Sequence, residues 1–418
     1  MSTLSKSYQR CKNRLKGRKL VFTVLELRRA VMACLSNSEK KWSEQRVVSV
    51  SSVGPERGRA LFSYRIGGFL VSPDDPLVQI HTHFWQSVQM VRTLTELGYT
   101  VDVIDYNNTS FQPEREYALF IDVRHNMERL AARLGKDCLK VFHIDSAHLL
   151  AHNSAEALRL LALLERRGVT LPPQRHEPPN CGIDHADYAT GNAGEFSLST
   201  FRHAGKPIYP LPAPAAHTFD WPQDKDWAGC RNRFVWFGSS GLVHKGLDLV
   251  LEAFAGMPDC HLTVCAPVDQ EGKFKQAYHR ELYQTHNIET AGWVEIGSTK
   301  FREICLACAA VVYPSCSEGL STSTVECMHA GLLPIVSYET GVPVEDFGFE
   351  ITPCTVAQIQ ELARTVMRMP VEELKERSRQ AWQFARANHT QAEFAKAYRA
   401  AMTDILARHE GGAGRRNS

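Results

Sequence analysis

At 418 residues the chain is too long for a single ordinary core and is expected to hold two domains with linkers. A hydrophobic share of 44% and a charged share of 22% are those of an ordinary globular protein and exclude a disordered or fibrous one. The net charge of +2 gives no ground for a nucleic-acid partner: seven Lys and Arg fall within residues 1–20, which hold no acid, so the remainder is net negative.

Residues 1–58 read as a basic N-terminal extension. Leu4, Tyr8, Cys11 and Leu15 recur at helical spacing and predict an amphipathic helix over 1–35, followed by a polar linker over 36–58. Such a helix either packs on the body or frays, or it docks on an anionic membrane surface; an acid-poor transit peptide is a third reading. No clean apolar run with a cleavage site follows the basic start, and no stretch of about 18 apolar residues exists, so neither a signal peptide nor a membrane span is expected. The twelve cysteines sit largely in apolar stretches, as at Cys265 and Cys327, and read as small hydrophobes in a reducing cytoplasm. Cys305 and Cys308 have CxxC spacing but no second pair, which suits a buried helix face better than zinc.

From residue 59 strands alternate with helices. ALFSY (60–64) runs into a loop with Arg65, Gly67 and Gly68, and a helical pattern then stops at Gly98. Strands are predicted at 100–106, 118–123 and 139–145, with a helix from Asn126 to Gly135 and a longer one ending at Gly168. ADYAT and a helix from Glu195 complete a first domain over 59–205. Residues 206–227 hold five prolines and read as a linker. Alternation restarts over 228–405, with strands at RFVWF, CHLTVCAP, GWVEI, AVVYP and LLPIVS and helices between them, and residues 406–418 are expected to be a disordered tail. The fold class is α/β, two Rossmann-like doubly wound parallel sheets facing a cleft.

Ligands bind such sheets at the carboxyl ends of strands. The first loop of interest is Gly238-Ser239-Ser240-Gly241-Leu242-Val243-His244-Lys245, where glycines, a following helix start and a lysine suit an anion. The bland alternative is a flexible loop with a solvated lysine, and the Lys-Ser/Thr ending of a P-loop is absent. The second is the segment from Pro314 to Glu326. It delivers Glu318 at a strand end, then Gly319, Leu320, Ser321 and Thr322, then a helix carrying Glu326, two carboxylates with seven residues between them. Carboxylates accept from sugar hydroxyls while a helix start takes phosphate. Ser323-x-x-Glu326 is also a capping box, a purely structural role. The third is His143, ending a strand near Asp145 and His148; alone, it reads more readily as a core histidine.

Taken together the second half resembles the retaining GT-B glycosyltransferases that use sugar nucleotides, through the glycine strand end, Lys245-Gly246 opening a helix, AGWV, and YPSCSEGLSTSTVECMHAGLLPIVS. The resemblance continues more weakly through the first half and covers about residues 59–405. It implies that Lys245 binds the donor diphosphate, Glu318 the donor sugar, the amides of Gly319 to Thr322 sugar and phosphate, and Glu326 the ribose. His143 would line the sugar-phosphate pocket, with the Gly67–Gly68 loop opposite. The co-substrate would be a UDP- or GDP-sugar, the acceptor a glycan or lipid-linked hydroxyl as in polysaccharide biosynthesis, and transfer would retain configuration. No metal is implied, and Asp224-Lys225-Asp226, spaced like a metal-binding DxD, is set aside because it lies in the linker. In one departure, Ser239 and Ser240 stand where such enzymes carry an arginine, leaving His244 or Arg65 to supply that charge. The rival readings are another GT-B enzyme, such as a sugar-nucleotide epimerase or a phosphorylase, and a non-catalytic GT-B binding module.

Overall fold

The computed structural model describes residues 44–72, 75, 78 and 81–416, so the helix and membrane contact expected over 1–35 lie outside the described residues. A first sheet comprises β1 (Val47–Val50), β2 (Gly58–Tyr64), β3 (Tyr99–Asp105), β4 (Leu119–Asp122), β5 (Leu139–Ile144), β6 (Tyr188–Asn192) and β7 (Ile208–Leu211) in the order β1-β3-β2-β4-β5-β6-β7. All neighbours are parallel except β1, which runs antiparallel to β3. Two linker assignments are thereby corrected. The segment 36–58 contains the edge strand β1, whose alternating half-buried and exposed residues cover one face only. The proline-rich segment contributes β7 on the opposite edge, where Pro210 faces solvent and its missing N–H removes no ladder bond.

The second sheet holds β8 (Arg233–Phe237), β9 (His261–Cys265), β10 (Ile288–Thr290), β11 (Ala310–Tyr313), β12 (Leu333–Val336) and β13 (Phe349–Glu350), all parallel, in the order β10-β9-β8-β11-β12-β13. The strand expected at GWVEI is displaced: β10 ends at Thr290, and Gly292 at φ 73° turns the chain out of extended conformation. The strands are added outward on one side from β8 to β10 and on the other from β11 to β13, so the order of addition switches between β8 and β11. The crevice at their carboxyl ends is therefore flanked by the two loops singled out above.

The helices set the frame of the cleft. They are α1 (Thr82–Glu96), α2 (His125–Ala131), α3 (Leu149–Arg167) and α4 (Glu195–Ser199) in the first half. In the second they are α5 (Leu247–Ala255), α6 (Gly272–Ala277), α7 (His279–Tyr283), α8 (Thr299–Ala307), α9 (Thr322–His329), α10 (Val356–Arg368), α11 (Val371–Asn388) and α12 (Gln391–Arg416). The last part of the first core is not where the domain boundaries put it. Phe394, Tyr398, Met402 and Ile405 form a stripe at helical spacing on α12 and pack with Met90 and Leu94 of α1 on the first sheet. The chain thus returns to its first domain, and the tail expected to be disordered from 406 is helical to Arg416, with Leu406 buried. Helix α3 makes the reverse crossing. Leu163 joins the second domain's core, Arg159 donates to the Pro314 carbonyl at 3.0 Å, and Arg166 pairs with buried Asp248 at 2.7 Å.

Candidate active site between the domains

Lys245 and Glu318 arrive from the ends of β8 and β11. Lys245 ends the loop ahead of α5, held there by Gly246 at φ 75°, where an added Cβ would lie 2.3 Å from the Pro314 carbonyl. Its Nζ donates to Glu318 Oε1 at 2.7 Å; Lys245 is buried, and the Glu318 side chain keeps 15% of its surface exposed. Ser315 Oγ and the Tyr313 hydroxyl also donate to that oxygen, at 3.1 and 3.3 Å. Burial pushes the Glu318 carboxyl up, but Lys245, His244 and Arg175 together outweigh it and hold its pKa down to about 2. Burial lowers the Lys245 pKa, against the pull of Glu318. The bland alternative, a lysine merely solvated on a flexible loop, does not hold, since Lys245 is buried and paired.

The rest of the Gly238 loop is built for rigidity. Gly238 N donates to the Cys265 carbonyl, and the amides of Gly241 and Leu242 donate to the Glu271 carboxylate at 2.5 and 3.2 Å. Ser239 is exposed and Ser240 half-buried. His244 is almost fully buried; its Nε2 donates to the Ser317 carbonyl at 2.6 Å, and burial lowers its pKa to about 3. It is neutral at physiological pH and cannot supply the positive charge assigned to it. Arg65, the other candidate for that charge, lies in the first domain with its guanidinium 4.7 Å from the Tyr106 ring centre.

Along the second segment, Ser321 caps α9 by accepting from Thr324 N, so the capping box expected between Ser323 and Glu326 is not formed. Glu326 is fully buried and points the other way, accepting from the amides of Ala216 and His217 in the interdomain segment. Burial, opposed by those two amides, pushes its pKa up to about 8. Of the amides from Gly319 to Thr322, that of Ser321 is taken by the Thr340 carbonyl at 2.8 Å. Gly319 touches the first domain: its carbonyl accepts from Gly194 N at 3.0 Å and from Ser197 Oγ at 3.0 Å. Leu320 and Thr322 flank this seam, both half-buried.

In the first domain His143 is completely buried. Gln86 Nε2 donates to its Nε2 at 2.8 Å, so its Nδ1–H donates to Thr190 Oγ1 at 2.9 Å. Burial lowers its pKa to about 4, leaving it a neutral member of a network rather than an exposed catalytic base. The network continues to Asn192, which donates to Gln86 Oε1 at 2.9 Å and whose own Oδ1 has no partner among the described residues. Gly67 and Gly68 serve packing, since a Cβ on either would strike Phe84 or Val88 within 3.0 Å. Sequence reasoning missed several groups. Arg124 pairs with Asp145 and Glu177, closing the carboxyl ends of the first sheet. Burial, followed by the charge of His81, lowers the His83 pKa to about 3. His152 of α3 donates to the Arg175 carbonyl and accepts from Ser317 Oγ across the cleft. None of these lies in a recognisable spacing pattern.

A cavity of 570 Å³ adjoins the Gly194–Gly319 seam, lined among others by Phe196, Tyr338, Glu195, Glu345 and Glu350. No group of three or more His, Cys, Asp or Glu among the described residues is arranged to hold a metal ion, and no helix there is long and apolar enough to cross a membrane.

The family model of group 1 glycosyl transferases matches residues 231–369. By sequence, no curated protein matches the chain. Among solved structures, sucrose-phosphate synthase from Thermosynechococcus elongatus is 11% identical at a TM-score of 0.57, covering 85% of this chain and 100% of that one. Anabaena HepE in complex with UDP-glucose is 14% identical at a TM-score of 0.53, covering 83% of this chain and 100% of the other. A trehalose-phosphate synthase from Burkholderia vietnamiensis is 12% identical at a TM-score of 0.53, over 83% and 99%. At these identities the likeness shows the two-domain fold. The chain therefore has the two-domain GT-B fold, and its second domain, over residues 231–369, matches the group 1 glycosyl transferase model.

Proposed function

We propose that this protein transfers a sugar from a nucleotide-sugar donor to a hydroxyl acceptor at the Lys245–Glu318 centre, with retention of anomeric configuration. The observation that carries the reading is the direct ion pair of those two residues at the carboxyl ends of β8 and β11, set in the cleft between two sheets. A diphosphate entering there competes with Glu318 for the ammonium. Once Lys245 turns to phosphate, the Glu318 carboxylate is free to accept from sugar hydroxyls. Lys245 then stabilises the charge that grows on the departing nucleotide diphosphate, and retention follows from acceptor attack on the face the diphosphate leaves. Glu326, in the middle of α9, is the group that the family resemblance offers for a ribose hydroxyl, which would have to displace the Ala216 and His217 amides from its buried carboxylate. The complex of HepE with UDP-glucose supports a UDP-sugar as the first donor to try. The cavity beside the seam suits a glycan or lipid-linked acceptor, with rings such as Phe196 and Tyr338 offering flat faces and its three glutamates accepting from hydroxyls.

Incubation with a panel of UDP- and GDP-sugars, with and without EDTA, tests the reading. One donor is expected to release its nucleotide diphosphate, at a rate that chelation does not change. Release from none of them would favour a binding module, and loss with EDTA restored by Mn²⁺ would call for metal-assisted chemistry. Seven basic residues within 1–20 support attachment to an anionic membrane surface on the cytoplasmic side, where a lipid-linked acceptor would be found. Flotation with anionic vesicles at low salt is expected to carry the full chain and to leave a variant lacking residues 1–35 behind. Equal flotation of the two would remove that part of the proposal.

A further inference from the structure

We propose that Arg175, from the first domain, is the second cation of the donor diphosphate site, supplied across the cleft in place of an arginine on the Gly238 loop. The inference rests on the donor reading above. A nucleoside diphosphate brings two phosphates, and the second domain's own loop offers one usable charge. Lys245 is that charge; Ser239 and Ser240 are uncharged, and buried His244 is neutral.

Arg175 is placed for the task by both of its ends. Its backbone is anchored to α3: the amide donates to Glu156 Oε1 at 3.0 Å, and the carbonyl accepts from His152 Nε2 at 2.8 Å. Two residues on, Glu177 N donates to Asn153 Oδ1 of the same helix at 2.8 Å. Helix α3 is itself fixed to the second domain through Arg159 and Arg166. The side chain then crosses the glycine of the donor loop. A Cβ added at Gly241 would lie 2.6 and 2.8 Å from Arg175 Cγ and Cδ, and Gly241 sits at φ 89°. Glycine at 241 is thus needed twice, for the turn and for the stem that passes over it. Among the described residues the half-buried guanidinium makes no ion pair. Its field nevertheless reaches both members of the centre: after burial and their mutual attraction, Arg175 is among the charges acting on Lys245 and on Glu318. A planar guanidinium in that position suits bidentate contact with phosphate oxygens. Because Arg175 and Lys245 belong to opposite domains, a diphosphate held by both would fasten the cleft shut.

The test is calorimetric titration of the full chain with UDP or GDP, whichever binds the wild type, and with the matching nucleoside monophosphate. Arg175→Ala is expected to weaken the diphosphate about tenfold to a hundredfold, the loss of one charge-assisted contact, and the monophosphate much less. Arg175→Gln, which keeps the stem over Gly241, is expected to lose the same affinity and guards against a packing effect. Adding Ser240→Arg to Arg175→Ala is expected to restore most of it. Unchanged diphosphate affinity in Arg175→Gln, with affinity lost in Lys245→Ala, would overturn the role of Arg175 and leave the donor site standing. Failure of both nucleotides to bind the wild type would bring down the donor reading and this inference with it.

Discussion

Glu318 carries a structural duty beside the chemical one proposed for it, and pH separates the two. Its folded pKa, near 2, lies below the ordinary 4.5 of a glutamate. The stability it contributes is therefore present above about pH 4.5 and lost as pH falls toward 2. Glu318→Gln is expected to destabilise the fold by on the order of 2 kcal/mol at pH 7 and by much less near pH 3. Turnover at pH 7 should fall at least about 100-fold, since the donor sugar loses its acceptor group. Denaturant unfolding at the two pH values, beside a turnover assay, checks both. A variant as stable as the wild type at pH 7 would mean that the Lys245 pair contributes nothing net. The ion pair that gives Glu318 its structural duty joins residues 73 apart, beyond any local pattern in the sequence. Arg175 was still less legible, because the only hint of it was a charge missing elsewhere. Glu326 was visible by its spacing, yet its partners Ala216 and His217 come from a segment with no periodicity.

At the scale of elements, the cleft is closed by backbone against backbone. Gly194 begins α4, Gly319 follows β11 and Gly341 follows β12, and all three meet. A Cβ on Gly194 would stand 2.1 Å from the Gly341 carbonyl, and no flexible side chain is there to yield. Gly194→Ala is therefore expected to cost about 1–3 kcal/mol or to push the domains apart. Small-angle scattering should show a larger radius of gyration and the turnover assay a lower kcat/KM, while unchanged values in both would show the seam to be adaptable. The long apolar strands and the helices closed by glycine were readable from periodicity and capping, as at Gly168, which ends α3 at φ 66°. The misplaced elements were short or at edges. β1 and β7 have four residues each and β10 has three, too few for a period to declare itself, and prolines disguised β7 as linker.

Over the whole molecule, two segments leave the domain that their sequence position assigns to them. Helix α12 returns from the second half to the first sheet, and α3 leans from the first half onto the second domain. The alternating pattern gives two doubly wound sheets readily enough, but such crossings depend on which apolar stripe meets which face, information that no single element holds. Their consequence is that the loops carrying Lys245, Glu318 and Arg175 converge on one place between the sheets. The most direct test of that convergence is a crystal structure of the protein with the nucleotide diphosphate that it binds. Lys245 Nζ should have left Glu318 for a phosphate oxygen at about 2.7–2.9 Å, with the nucleotide lying between the ends of β8 and β11. A nucleotide bound elsewhere, with the Lys245–Glu318 pair still intact, would contradict the account.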